Sequence, residues 1–271
     1  MIERMETIVK SDDSWWIERA RRVRAVLGFS ARVFWESPRA LVFRFGDFVR
    51  QFERIAWGTA PLVFIAGLSV GLVTWLQTRR LLVGYSLEAT TPGILLVAVV
   101  VETGPILAGL LLAGRVGAGL AAELGSMSLT EELDAREVLG AQVILTLVAP
   151  RVLACVAAAP LLTILIDAAA LLGGLLGESC WGSISSEAFL ARSFDYLKLA
   201  DAIPATLKTA AFGLLIGIVA CRAGLTAERS TDAVGRAATH GVVAAALAIF
   251  IANAALVPLI QAATAALDWN Y

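Results

Sequence analysis

The feature that most constrains this chain is the stretch 55–78, where 24 consecutive residues include no Asp, Glu, Lys or Arg. A helix of that length rises about 36 Å, enough to cross a hydrocarbon core about 30 Å thick. A second stretch free of these residues runs over 237–267. Between them lie apolar stretches at 92–114, 143–177 and 202–221, whose only charges are Glu102, Arg151, Asp167 and Lys208. With 58% hydrophobic and 17% charged residues, the chain carries more apolar surface than one water-soluble core hides. The expected fold is an all-α integral membrane protein with five spans, and an odd number puts the two ends on opposite sides.

Basic residues orient the spans. Eleven of the 22 Lys and Arg residues precede Trp57, whereas the loops at 79–91 and 178–201 have two each and the segments 115–151 and 222–236 have three each. The N-terminal arm therefore decides the orientation, with the N-terminus cytoplasmic and the C-terminus periplasmic. No short basic run followed by an apolar core opens the sequence, so no cleavable signal peptide is expected. Residues 1–25 are polar. Over 26–56, Val42, Phe45, Val49 and Phe52 recur at helical spacing against Arg44, Arg50, Glu53 and Arg54. That is the pattern of an amphipathic helix lying in the membrane interface, or of a helix packed on a partner. The remaining segment, 57–271, holds the five spans. Seven prolines lie at or inside the apolar stretches, and each is expected to kink or locally break its helix.

The segment 102–154 carries the most information. Gly114, Gly117 and Gly119, interleaved with alanines, permit close helix approach in lipid. Arg115 among them needs a carboxylate, a carbonyl or an interfacial headgroup as partner. The sequence then turns abruptly polar. Ser128 is placed to cap a helix over 128–139, with Glu131 as the capping-box acid. Leu129, Leu133, Val138 and Leu139 give this helix an apolar side, and Glu131, Glu132, Asp134 and Glu137 give it an acidic face. Such a face suits a docked soluble partner or a solvated loop.

Here the sequence resembles a known family. "GPILAGLLLAGRVGAGLAAELGSMSLTEELDAREVLG" followed by "PRVLA" is similar to the MlaE/YrbE permeases of MCE-associated ABC lipid transporters, with weaker similarity from about residue 30 to the end. The resemblance implies an amphipathic interfacial helix followed by five spans. It implies a homodimer in the bacterial inner membrane, with ABC ATPase subunits below and an MCE-domain lipid-binding protein above. It makes 128–139 the coupling helix, with Thr130, Glu131, Glu132, Asp134 and Glu137 as residues that touch the ATPase. It places Glu102, Pro105, Leu76 and Leu107 at the lipid pocket. Gly104, Gly114, Arg115, Gly117 and Gly125 become structural positions. The chain departs from the family pattern at Val101, Gln142, Val143, Asn253 and His240.

No catalytic role is expected in this chain. It has no GxxxxGK[ST] motif, so ATP and Mg belong to a partner ATPase. Cys155, Cys180 and Cys221 have no metal-ligand spacing, and no metal site or nucleic-acid partner is expected. His240, the only histidine, reads as an interfacial hydrogen-bonding residue. An intramembrane acid such as Glu102 is either a functional group or half of a structural ion pair. A second function class therefore stands beside the permease: an ion-coupled transporter or channel using Glu102, Asp167 and Lys208.

Overall fold

The computed structural model describes residues 24–266, which are helical with no strand. The polar segment assigned to 1–25 falls almost entirely outside them. Eight helices follow in order: α1 (24–43), α2 (Phe45–Val83), α3 (Glu88–Leu129), α4 (Glu132–Val138), α5 (Ile144–Trp181), α6 (Ser186–Asp195), α7 (Leu199–Leu225) and α8 (Thr231–Ala266). Five of them, α2, α3, α5, α7 and α8, are long and apolar enough to cross a membrane. The chain is thus an all-α integral membrane protein. Every spanning helix is longer than the apolar stretch that marks it in the sequence.

The amphipathic region and the first span meet differently from the expected boundary at 56/57. The break lies at Arg44 (φ −127°, ψ 31°), and α2 runs unbroken through Trp57. Nothing at 56 or 57 stops a helix, so the chain enters the apolar run already helical. α1 turns Val33 and Ala40 inward, both fully buried, while Leu27, Phe34, Trp35, Val42 and Phe43 remain exposed. Large apolar side chains facing outward from a helix docked on a membrane bundle suit the headgroup–acyl boundary.

Glycines set how closely the spans pack. Gly67 and Gly71 of α2 meet the backbone of α5, so that a Cβ at Gly67 would sit 2.7 Å from the Ile166 carbonyl. Gly173 and Gly177 of α5 receive α2 in the same way, against the Leu68 carbonyl and the Trp75 ring. Gly213 and Gly217 of α7 rest on Cys155 and Val152 of α5. Each pair is a GxxxG, which lets backbones approach where lipid supplies no hydrophobic drive. The run singled out from the sequence does less of this. Around Gly114 and Gly119 nothing lies within 4 Å of an added Cβ, and Gly117 and Gly125 have only ordinary contacts. Gly114 and Gly119 lie on an exposed face of α3, whereas Gly117 and Gly125 are buried against its neighbours.

The helix expected over 128–139 is shorter than that range. α3 continues through Ser128 to Leu129, so Ser128 caps nothing, and the expected capping box does not form. Glu131 instead takes a left-handed conformation (φ 60°, ψ 13°) that turns the chain into the seven-residue α4. That backbone costs on the order of 1 kcal/mol for a residue with a Cβ. The apolar side is also divided. Leu133 is buried, whereas Val138 and Leu139 are 87% and 84% exposed. Gly140 (φ +76°) makes the turn that leaves them outward.

Candidate functional site

Three π-helical turns interrupt the spans, at Val99–Thr103, Ala113–Gly117 and Ile144–Val148. Two of them stand two residues before a proline, Pro105 and Pro150. A proline has no N–H, so it leaves a carbonyl of the preceding turn without its helical donor. In a span that carbonyl needs another donor, and in each case a basic side chain donates to a carbonyl of the widened turn.

At the first turn Lys208 of α7, almost fully buried, donates from Nζ to the Val101 carbonyl at 2.9 Å and to Glu102 Oε2 at 3.2 Å. Val101 is the residue four before Pro105. Asn253 of α8 donates from Nδ2 to the same Glu102 oxygen at 3.3 Å. Asp167 of α5 lies against Gly104, where a Cβ would collide with its carboxylate. The Asp167 Oδ1 and Asn253 Oδ1 atoms are buried without a hydrogen-bond partner. Four spans thus converge on the turn before Pro105. The lysine is enclosed, while the Glu102 side chain is 41% exposed, so the acid is the accessible member of the pair.

At the turn before Pro150 a basic side chain again donates to a carbonyl of the widened turn, here that of Leu147, three residues before the proline. Arg151 of α5 donates from Nη1 to the Leu147 carbonyl at 3.0 Å and from Nη2 to Glu123 Oε1 of α3 at 2.7 Å. Arg54 reaches the other Glu123 oxygen at 3.4 Å. Arg115, in the Ala113–Gly117 turn, donates to Thr59 Oγ1 at 3.0 Å across Gly58. Arg54, Arg115 and Glu123 line one cleft of about 250 Å³. The sequence reading missed this Glu123–Arg151 pair. The available signal was an acid and a base, each embedded in small and apolar residues.

Of the four pocket residues expected from the resemblance, the structure does not gather all. Pro105 is buried beneath Glu102, and Leu107 packs on the main apolar core. Leu76 is exposed and lines a separate groove with Trp75, Arg79 and Trp181. Around that groove Trp75 Nε1 donates to Glu178 Oε2 at 2.8 Å, and Glu178 Oε1 accepts the Ser183 and Ile184 amides at 2.9 Å each. Arg79 caps the Trp181 carbonyl. This network ties α2 and α5 to the loop before α6.

At the opposite end, α4 is braced by the loop between α7 and α8. Arg229 pairs with Asp134 and lies 3.6 Å from Glu131. Thr130 is exposed, and its hydroxyl donates back to the Ser126 carbonyl at 3.1 Å. Glu132 and Glu137 stay exposed beside Val138 and Leu139. A cavity of about 750 Å³ opens between Trp35 of α1 and the Glu137–Ile144 turn. The described residues contain no cluster of side chains able to hold a metal ion.

The family model described as Permease MlaE matches residues 48–259. A probable ABC transporter permease protein of Rickettsia typhi is 35% identical over 205 residues, covering 76% of this chain and 79% of that protein. One from Synechocystis is 35% identical over 205 residues, with 76% and 78% covered. The Arabidopsis thaliana protein trigalactosyldiacylglycerol 1, chloroplastic, is 31% identical over 206 residues, with 76% of this chain and 59% of that protein covered.

Proposed function

This chain belongs to the MlaE permease family, and from that premise we propose that it is the permease subunit of an ATP-binding cassette transporter for phospholipid or a related hydrophobic lipid. The lipid passes between the bacterial inner membrane and a periplasmic MCE-domain protein. The chain works as a homodimer with its N-terminus in the cytoplasm and its C-terminus in the periplasm. ATP and Mg are handled by separate ATPase subunits. A lipid cargo is supported by the glycerolipid in the name of the Arabidopsis relative. α8 supports a second copy, since only 11% of its most apolar window is buried within the chain, against 56% for α5.

The observation that carries this reading is the exposed pair Val138–Leu139 at the end of α4. Two large apolar side chains standing free beside Glu132 and Glu137 are unfavourable in water and favourable in a partner's groove. The Arg229 brace joins α4 to the α7–α8 loop. A push on α4 is thereby transmitted to the two spans that carry Lys208 and Asn253, the partners of Glu102. ATPase closure then biases the polar turn at Glu102 between two arrangements.

The test is the double variant Val138→Asp, Leu139→Asp, purified with its ATPase and MCE partners. Both positions are exposed, so the chain folds with unchanged thermal stability, while the ATPase no longer co-purifies. Replacing Glu131, Glu132 and Asp134 together weakens the same contact. Full ATPase recovery and lipid-stimulated hydrolysis in both variants would refute the assignment.

A further inference from the structure

At the α4 end of the bundle, α7 and α8 part around a cavity of about 500 Å³, reached also by Val26 of α1. Ile218, Val219 and Ala244 give it an apolar wall. About one helical turn nearer the ends of α7 and α8, some 5 Å along the axis, it is lined by Arg222, Arg236 and His240. Glu228 is the one acid in its lining. Glu228 lies 3.5 Å from Arg236, and both side chains are more than half exposed, so water already solvates that pair. Arg222 is different. Its Nη1 is buried and has no hydrogen-bond partner among the described residues. A guanidinium nitrogen enclosed at a membrane boundary without an acceptor is unfavourable, and the neighbouring acid is engaged by Arg236.

We infer that this cavity binds the phosphate of an anionic phospholipid from the leaflet at the α4 end. Arg222 is the inner donor, and Arg236 and His240 complete the rim. The phosphate oxygens supply the acceptor that Arg222 lacks, and an acyl chain lies along Ile218, Val219 and Ala244. A free anion would use the rim and leave that wall wet. Basic pockets between spans at a charged leaflet have this combined chemistry. The site is distinct from the turn at Glu102, which lies toward the α6 end of the spans. The lipid held here is a resident ligand that clamps α7 to α8 next to the Arg229 brace. Its position on the cytoplasmic side rests on the orientation proposed above; its occupancy does not.

The experiment is native mass spectrometry of the full chain released from mixed phosphatidylglycerol and phosphatidylcholine micelles. The wild-type chain retains phosphatidylglycerol selectively. Arg222→Gln lowers retention about fivefold, as expected for one basic contact. Arg222→Gln with Arg236→Gln lowers it further, Glu228→Gln raises it, and Arg80→Gln at the other end leaves it unchanged. Millimolar inorganic phosphate does not displace the lipid. Should Arg222→Gln fail to fold, the exposed-rim variant Arg236→Gln carries the same comparison with the same direction. Wild-type retention in the Arg222 and Arg236 variants, equal retention of phosphatidylcholine, or displacement by inorganic phosphate overturns the proposal. Loss of ATPase co-purification, which tests the permease reading, leaves it standing.

Discussion

Lys208→Met separates the two roles of the buried lysine. Its Nζ satisfies the Val101 carbonyl, for which Pro105 offers no N–H, and it pairs with Glu102. The first role is the stronger. A buried carbonyl left without a donor costs about 1–3 kcal/mol, although bonds between spans average nearer ~0.6 kcal/mol because the unfolded chain in lipid finds other partners. The Glu102 side chain is 41% exposed, so its half of the ion pair is worth about 1 kcal/mol or less. Lys208→Met should therefore destabilise the chain by about 1–3 kcal/mol, and Glu102→Gln by less than about 1 kcal/mol, in reversible unfolding from mixed micelles. Pro105→Ala restores an N–H four residues after Val101. In the Lys208→Met background it should recover part of the loss, and in the Glu102→Gln background it should recover none. Equal costs for the two single variants, or no recovery with Pro105→Ala, would refute the idea that the proline, the widened turn and the lysine form one unit.

Three further outcomes follow from the packing. Gly71→Val drives a side chain into the Ala170 carbonyl and should cost about 3 kcal/mol, whereas Gly114→Ala, with nothing within 4 Å, should leave unfolding of the single chain unchanged or slightly improved. Glu178→Ala removes the acceptor of Trp75 Nε1 and of two loop amides. It should lower stability by about 2–3 kcal/mol and speed hydrogen exchange at Ser183 and Ile184. Arg229→Ala frees α4 from Asp134 and Glu131; global stability should move by less than about 1 kcal/mol, while amide exchange across 131–139 accelerates measurably.

The five spans were legible because hydropathy is a sum over about 20 residues and survives ignorance of contacts. The helix ends were not legible, because an extra turn beyond the lipid costs little and leaves no apolar signature. The capping box at Ser128 failed for a related reason. The preceding helix had no reason to stop there, so the polar switch marked a change of solvent and not a change of structure. At the site, Glu102 and Lys208 were both conspicuous as charges in apolar runs, but their pairing across 106 residues depends on how α3 and α7 cross. Gly104 shows the same limit. Its need for a bare Cα comes from Asp167 on a different helix, which no local pattern contains. The GxxxG pairs of α2, α5 and α7 were present in the sequence and were overshadowed by the denser glycine run at 114–119, in which only Gly117 packs within the bundle while Gly114 and Gly119 stand open.

The distribution of tight and loose packing assigns different mechanical roles to the spans. α2 and α5 interlock through four glycines, and Glu178 and Trp75 pin their common end, so these two helices behave as one rigid body. α8 has little of its surface buried in the chain, and it touches the polar turn through Asn253, whose side-chain oxygen is unsatisfied. A helix held by few apolar contacts can shift at small cost, and an unsatisfied acceptor on it favours any arrangement that supplies a donor. Displacing α8 relative to the α2–α5 pair would exchange the bond between Asn253 and Glu102 without disturbing Lys208, which remains fixed on the Val101 carbonyl. The accessible acid is thus the member of the cluster whose surroundings can change, and the buried lysine is the member that keeps the broken turn intact while they do.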